Sequence, residues 1–204
     1  MIGGMKVKKG ITILIAIFMI LGCSACKQKT KEKKKTSNVT QSDLKTANSD
    51  SLIVYFSWSG HTRDLAKMIQ KETKGDLFEI VPVKAYSDDY DTVVDQAKQE
   101  QKDKARPQIA YHIDHLDKYQ TIYVGYPNWW QDMPMILYSF FDEYDLSHKK
   151  IVPFCTSGGS GLSQTVETIK KLEPEADVTE GFHVGSDDVD QCQQDLKNWL
   201  NKIN

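Results

Sequence analysis

The chain has 204 residues, of which 40% are hydrophobic and 26% are charged. This composition suits one globular domain with a tail, and it excludes collagen-like, coiled-coil and wholly disordered chains. Ten of the 26 basic residues lie within positions 1–50, so residues 51–204 carry 16 basic and 25 acidic residues, a net charge of −9. Because so acidic a body repels phosphate backbones, nucleic acid is disfavoured as a partner and a basic or neutral protein is favoured.

The first 22 residues have the pattern of an export signal. Three lysines precede an apolar run over residues 11–21, about half the length that a membrane-spanning helix needs, and Gly22 and Cys23 follow. Residues 20–23, ILGC, resemble the lipobox of bacterial lipoproteins. This resemblance implies that Cys23 is acylated and becomes the first mature residue. An uncleaved anchor, or cleavage at small residues before Lys27, is the alternative.

Residues 23–50 are predicted to form a flexible tether. Six lysines lie between positions 27 and 35, and polar residues with almost nothing apolar follow. Such a stretch cannot bury enough surface to offset its ordering entropy. The lysines either contact anionic lipid head groups or belong to a solvated spacer. The predicted organisation is a signal peptide over residues 1–22, a lipid-anchored tether over 23–50 and a globular domain over 51–204.

From position 51 onward, short β-rich runs alternate with helical patterns, which is typical of parallel βαβ units. Since a closed α/β barrel needs about 250 residues, the length favours an open sheet. The predicted fold class is therefore α/β, with a doubly wound five-stranded parallel sheet. Pro153 lies inside the predicted fourth strand, although it lacks the backbone N–H that a strand residue donates to a neighbouring strand. Strands are predicted near residues 52–56, 77–81, 121–125, 150–155 and 181–184, and helices near 63–74, 88–106, 135–144, 163–172 and 187–203.

Ligands of a doubly wound sheet bind beyond the carboxyl ends of its strands, so the loops after the first, third and fourth strands form the candidate site. The first loop combines hydroxyls, a glycine and a helix N-terminus, which indicates a phosphate site. A simple helix cap by Thr62 is the alternative. The P-loop and GxGxxG motifs do not occur in the sequence. The first loop consists of Ser57, Trp58, Ser59, Gly60, His61 and Thr62.

The second loop places two adjacent tryptophans in a turn, and its candidate residues are Pro127, Asn128, Trp129 and Trp130. Large aromatic side chains outside the core indicate a surface for a flat ligand, while one tryptophan is expected to fill the core beneath the loop. The third loop is rich in glycine, so its backbone can approach a ligand closely. It consists of Thr156, Ser157, Gly158, Gly159, Ser160 and Gly161. Together the three loops describe a site for flavin mononucleotide (FMN).

The segments SWSGHT, GYPNWW and FCTSGGSG resemble the loops of the flavodoxin family, and the resemblance covers residues 52–203. It implies the strand order 2-1-3-4-5, a phosphate held by residues 57–62, an isoalloxazine ring flanked by residues 127–130, and ring and ribityl contacts from residues 156–161. The third loop departs from the family pattern because it lacks the tyrosine that many flavodoxins stack on the outer ring face. Trp129 or Trp130 is therefore expected to stack alone.

Three classes of function remain open. The leading hypothesis is an FMN-binding electron-transfer protein, anchored to the outer face of the cell membrane, whose partner is a redox protein or a small electron acceptor. An NAD(P)H-dependent quinone or flavin reductase on the same fold is the alternative, with Tyr86, Tyr90 or His61 lining a substrate pocket. The third class is a flavin-free binding module.

Other chemistries fit the sequence less well. The third loop misses the last glycine of the G-x-S-x-G elbow, which disfavours a hydrolase. No cluster of cysteine and histidine has the spacing of a metal site, so no metal is predicted. Cys155 and Cys192 are expected to be packed thiols and not a disulfide.

Overall fold

The computed structural model describes residues 49–203, so the predicted signal peptide, Cys23 and all but the end of the predicted tether lie outside the described residues. Strands and helices alternate along this range. The strands are β1 (Ser51–Tyr55), β2 (Asp76–Glu79), β3 (Thr121–Pro127), β4 (Lys150–Ser157), β5 (Asp177–Val178) and β6 (Phe182–Gly185). The helices are α1 (His61–Thr73), α2 (Tyr90–Asp103), α3 (Met135–Glu143), α4 (Thr165–Leu172) and α5 (Gln193–Ile203). None of these helices combines the length and apolar character that crossing a bilayer requires.

The strands form one parallel sheet in the order β2-β1-β3-β4-β5, with β6 also paired to β4. The predicted order 2-1-3-4-5 is confirmed, but the fifth strand is divided into β5 and β6. The carbonyls of Lys149 and Ile151 accept hydrogen bonds from this outer strand. Backbone N–H and C=O groups of every second residue point to the same side of a strand. The backbone of Pro153 therefore faces β5 and β6, as those of Lys149 and Ile151 do, but proline has no N–H to donate there. The interruption between β5 and β6 lies opposite this missing donor.

The central strands are apolar on both sides because helices cover both faces of the sheet. In β1, Leu52 and Val54 pack into the core beneath α2, α3 and α4, while Ile53 and Tyr55 face α1 and α5. All four side chains are almost completely buried. The near-continuous apolar run over residues 52–56 therefore follows directly from two-sided burial.

Gly125 of β3 packs closely against a side chain of the neighbouring strand β4. Its register partner in β4 is Phe154, whose ring is fully buried. A Cβ atom at position 125 would lie only 2.1 Å from the ring Cζ of Phe154. The phenyl ring therefore fills the space that any larger residue would need.

Helix ends differ from the predicted ones where local capping decides them. Asp89 accepts a hydrogen bond from the Thr92 N–H and caps α2, and Lys104 ends this helix in a left-handed conformation. The predicted last helix is divided into a 3₁₀ helix (Ser186–Gln191) and α5. Cys155 and Cys192 are free and buried, which confirms the prediction of packed thiols.

Candidate functional site

The three predicted loops meet at the carboxyl edge of the sheet, because β1, β3 and β4 are neighbours. The hydroxyl oxygens of Thr62 and Thr156 lie 2.8 Å apart, which joins the first loop to the third. The Asn128 N–H donates to the Thr156 carbonyl at 2.9 Å, which joins the second loop to the third. A cavity of about 360 Å³ opens between these loops and α2, and residues of all three loops line it.

The candidate residues differ in their exposure. Three are buried, namely Thr62, Thr156 and Ser157. Eight are half-buried, namely Ser57, Trp58, Gly60, His61, Pro127, Asn128, Trp129 and Gly161. The remaining five are exposed, namely Ser59, Trp130, Gly158, Gly159 and Ser160. Buried Thr62 and Thr156 connect the first loop to the third, and the exposed residues form the part of the loops that is open to a ligand.

The first loop leads into helix α1, whose N-terminus has no side-chain cap. Gly60 is the N-cap of α1 with φ +101° and ψ −25°, and no side chain caps this end. The Ser57 hydroxyl accepts the Gly60 N–H at 3.2 Å. The alternative interpretation of Thr62 as a helix cap is wrong, because its hydroxyl pairs with Thr156 instead. The first backbone N–H groups of α1 and its dipole are therefore available to an anion.

Glycines keep the space in front of the first and third loops open. A Cβ atom built at Gly60, Gly158, Gly159 or Gly161 meets no other atom within 4 Å. Gly159 and Gly161 have φ angles of +134° and +63°. These positions allow the backbone N–H and C=O groups to approach a ligand without an intervening side chain.

Trp129 belongs to the core beneath the second loop. Its ring makes edge contacts with Phe56 and Tyr86, at centroid distances of 5.5 and 5.2 Å. It packs against the main hydrophobic cluster of the α2 side. The prediction that one of the two tryptophans fills the core is thereby confirmed.

Trp130 projects outward from a strained two-residue turn. The N–H of Trp129 and the N–H of Asp132 each donate to the other residue's carbonyl, at 2.9 and 3.1 Å. Trp130 and Gln131 lie between them with φ angles of +54° and +65°. Positive φ at both central positions is characteristic of a type I′ turn, which usually contains asparagine and glycine. Because each non-glycine residue pays roughly 1–2 kcal/mol in this conformation, the turn stores strain of the kind found at functional sites.

Contacts with α2 hold the Trp130 indole in place. Its Nε1–H donates to the Val94 carbonyl at 3.0 Å, and the Lys98 ammonium lies 4.7 Å from the ring centroid. The Gln101 side-chain amide donates to the Trp130 carbonyl at 3.3 Å. Trp130 nevertheless remains 44% exposed, so it presents an aromatic surface to solvent.

Helix α2 forms the wall of the cavity opposite the loops. The Trp58 Nε1–H donates to the Ser87 carbonyl at 2.8 Å, and its ring lies 6.1 Å from that of Tyr90. Val93 and Ala97 are buried, whereas Val94 is half-buried and lines the cavity. The wall is thus aromatic and aliphatic, although the rest of α2 carries many charges.

Asn128 has a buried atom that is unsatisfied. Its side-chain amide donates to the Gly161 carbonyl at 2.8 Å and to the Ser163 hydroxyl at 2.9 Å. Its Oδ1 atom is buried and has no hydrogen-bond partner. Since a buried acceptor without a donor costs roughly 1–3 kcal/mol, this atom is suited to receive a hydrogen bond from a ligand.

Two titratable side chains beneath the site, Cys155 and Tyr86, have raised pKa values. Burial raises the pKa of the Cys155 thiol to about 12. Burial, aided by a hydrogen bond to Glu100, raises the pKa of Tyr86 above its usual range. Neither side chain is therefore a ready nucleophile or base. Among residues 49–203, no group of three or more histidine, cysteine, aspartate or glutamate side chains is placed to hold a metal ion.

Two residues that contact the candidate site were not predicted from the sequence. Lys98 covers one face of Trp130, and His183 of β6 lies 2.9 Å from the Ser157 hydroxyl. Each is separated from its partner by at least 26 positions, and neither belongs to a local motif. Only the packing of α2 and β6 reveals these contacts.

These observations define a doubly wound α/β protein with a ligand site at the carboxyl ends of three adjacent strands. The model of the family described as Flavodoxin matches residues 50–203, and the chain belongs to this flavodoxin family. The predicted family is thereby confirmed. No curated protein matches the chain.

Solved structures show the same similarity. A candidate flavoprotein from Bacteroides eggerthii is 29% identical, with a TM-score of 0.68 over 75% of this chain and 96% of that chain. One from Bacteroides uniformis is 28% identical, with a TM-score of 0.66 over 74% and 99% of the two chains. A flavoprotein from Lactobacillus acidophilus, crystallised in complex with FMN, is 26% identical, with a TM-score of 0.59 over 69% and 96%.

Proposed function

We propose that this chain is an FMN-binding electron-transfer protein that an acylated Cys23 holds at the outer face of the cell membrane. The observation that carries the cofactor assignment is the convergence of an uncapped helix N-terminus, an exposed indole and an open glycine backbone at one sheet edge. Membership of the flavodoxin family supports FMN as the cofactor, as does the FMN complex of the Lactobacillus acidophilus relative.

The residues present fit FMN at both ends of the molecule. The N-terminus of α1 and the first-loop hydroxyls suit a phosphate, because N–H groups and the helix dipole favour an anion. The Trp130 face suits the flat ring, and the backbone of residues 158–161 offers hydrogen-bonding groups beside it. Asn128 lines the cavity, and its buried Oδ1 has no hydrogen-bond partner, which gives an independent reason to expect a ligand with N–H or O–H donors.

Bound FMN supplies transfer of one or two electrons, while the protein sets its binding and surroundings. Trp130 would orient the ring, and the apolar side of α2 would keep water from one side of it. The first loop would hold the phosphate and so fix the position of the ring. Since residues 51–204 carry a net charge of −9, a redox partner with a basic docking surface is favoured.

Comparison of FMN with riboflavin tests the assignment of the first loop. The full chain should bind FMN more than tenfold more tightly, because several donors lose their partner when the phosphate is missing, at roughly 1–3 kcal/mol each. Changing Ser59, the exposed hydroxyl of the first loop, to Ala should weaken FMN more than riboflavin. Ser147→Ala, in the loop before β4 at the other end of the sheet, is the matched control and should change neither affinity. Equal affinities of the unsubstituted chain for both ligands would refute the phosphate site.

A reductase remains the second candidate because one wall of the cavity is aromatic and open. Tyr90 is 66% exposed beside Trp58, so a flat apolar substrate has a surface to contact. Steady-state oxidation of NADH or NADPH with a quinone distinguishes the two functions. Turnover that falls in Tyr90→Ala but not in the exposed control Tyr111→Ala would favour the reductase, whereas absence of turnover by FMN-loaded protein favours the carrier.

The membrane anchor is tested separately from the flavin. Cys23 lies outside the described residues, and its role is proposed from the sequence resemblance to a lipobox. Labelled fatty acid should be incorporated into the unsubstituted chain in bacterial cells and not into Cys23→Ala, which should also remain unprocessed. Cys26→Ala is the matched control and should be labelled normally. Unchanged labelling of Cys23→Ala would contradict this anchor.

A further inference from the structure

The hydroxyl oxygen of Ser157, at the start of the third loop, has three hydrogen-bond partners. The N–H groups of Gly159 and Gly161 donate to it at 3.2 and 3.1 Å. The Nε2 atom of His183 lies 2.9 Å away. A serine hydroxyl has one proton and two lone pairs. The two backbone donors occupy both lone pairs, so the hydroxyl proton is left for the imidazole.

We infer that His183 is a positioning residue for the cofactor loop, because its Nε2 accepts the Ser157 proton and so orients the oxygen towards the backbone N–H groups of residues 159 and 161. The acceptor nitrogen must be unprotonated, which places the single ring proton on Nδ1. Burial lowers the pKa of His183, which favours this neutral ring. The effect on FMN rests on the proposed function, whereas the hydrogen-bond arrangement does not.

The fold holds the two partners in register. β6 pairs with the end of β4, where Cys155 lies opposite His183 and Ser157 lies opposite Gly185. Ser157 is buried and His183 is half-buried, so water competes poorly for this hydrogen bond. The register therefore presents an acceptor to Ser157 at the point where the chain leaves the sheet.

The loop that this hydroxyl organises also reaches the second loop. The carbonyl of Gly161 accepts the Asn128 side-chain amide at 2.8 Å, while its N–H bonds to Ser157. Gly159 and Gly161 both have positive φ, a conformation that glycine adopts readily. A hydroxyl that rotates away would leave their N–H groups without the acceptor that shapes the turn.

Four variants of the full chain test the inference. His183→Phe retains a ring but removes the acceptor, Ser157→Ala removes the hydroxyl, and the double variant removes both. His183→Gln places an amide oxygen close to the position of Nε2 and should restore the acceptor. We expect the FMN dissociation constant to rise roughly tenfold in each of the first two single variants, as expected for one buried hydrogen bond. It should return close to the original value in His183→Gln.

The double variant separates positioning through Ser157 from a general packing role. If His183 acts only through the hydroxyl, adding His183→Phe to Ser157→Ala should weaken FMN binding no further. A tenfold loss for each change that multiplies to a hundredfold in the double variant would overturn the inference. So would failure of His183→Gln to bind FMN better than His183→Phe while both unfold at the same urea concentration.

The tautomer of His183 can also be tested by spectroscopy, with neither bound FMN nor a substitution. Nitrogen NMR of the flavin-free full chain should show the His183 Nδ1 protonated and the Nε2 unprotonated. A protonated Nε2 would refute the inference even if FMN binds. A chain that fails to bind FMN but has the expected tautomer would refute the proposed function and leave the hydrogen-bond arrangement supported. The two failures are therefore distinguishable.

Discussion

Replacing Trp129 and Trp130 by alanine, one at a time, should separate the effect on FMN affinity from the effect on folding stability. Trp130 is exposed and bonded mainly to α2, whereas Trp129 is packed between Phe56 and Tyr86. Trp130→Ala removes the proposed stacking surface, worth roughly 1–3 kcal/mol by analogy with bases on aromatic side chains. This predicts that the FMN dissociation constant rises by roughly 5-fold to 150-fold.

The loss of folding stability should be larger for Trp129→Ala than for Trp130→Ala, the opposite of the order expected for FMN affinity. Trp130→Ala loses one hydrogen bond and an exposed cation–π contact, together roughly 1–2 kcal/mol. Trp129→Ala removes a half-buried indole that contacts two aromatic rings, so its cost should lie near the lower end of the roughly 3–5 kcal/mol typical for truncating a buried tryptophan. The two substitutions should therefore differ in stability by at least about 1 kcal/mol.

Urea unfolding of the flavin-free chain and titration with FMN measure the two effects separately. Trp130→Phe is the matched control, because it keeps an aromatic face and should retain most of the affinity. The chain contains four tryptophans, and an indole in contact with flavin is expected to lose its emission on FMN addition. The quenching on FMN addition should therefore be smaller in Trp130→Ala than in the unsubstituted chain.

The reasoning fails if Trp130→Ala binds FMN as tightly as the unsubstituted chain. It also fails if Trp129→Ala keeps its stability but loses affinity, since that result would reverse the two roles. Weak binding in Trp130→Ala that accompanies general unfolding would point to a structural defect and would contradict the assignment of this side chain to the ring.

Three further predictions concern stability. Gly125→Ala should lower the free energy of unfolding by about 3 kcal/mol because its Cβ would overlap the Phe154 ring. Adding Phe154→Leu to this variant should recover part of the lost stability. An unchanged urea midpoint in Gly125→Ala would show that the ring can move aside. Burial and Asp145 raise the pKa of Glu173 from 4.5 to about 7, so the folded state holds a proton that the unfolded state releases first. Stability should therefore fall as the pH rises from 4.5 through 7, and thermal unfolding of Glu173→Gln should lack this decrease. Gln131→Gly should raise stability by up to about 1 kcal/mol by relieving a left-handed residue, whereas Gly60→Ala, which creates such strain, should lower it in the same thermal assay.

The sheet and its ligand edge could be predicted because both depend on local patterns. The apolar run of β1 follows from burial on both faces, and parallel strands place the loops after β1, β3 and β4 at one edge by geometry alone. The division of the fifth strand was harder to predict. It depends on which side of β4 the missing Pro153 N–H faces, and that side is set by register.

The roles of Trp129 and Trp130 could not be distinguished from sequence. Adjacent residues alternate in direction only if the backbone is extended, and here a turn with two positive φ angles intervenes. The Trp-Gln pair gives no signal for such a turn, which asparagine and glycine usually mark. The contacts of Lys98 and His183 are likewise long-range, so no spacing rule could have indicated them.

The divided outer strand also affects how copies of this protein meet one another. A long, regular edge strand offers unpaired N–H and C=O groups on which a second molecule can extend the sheet, and this is a common route to aggregation. Here that edge consists of pieces of two and four residues with a break between them. Under the proposed anchoring at Cys23, molecules confined to a membrane surface would collide more often than molecules in free solution. An edge too short to template another strand would then let many copies lie side by side without assembling.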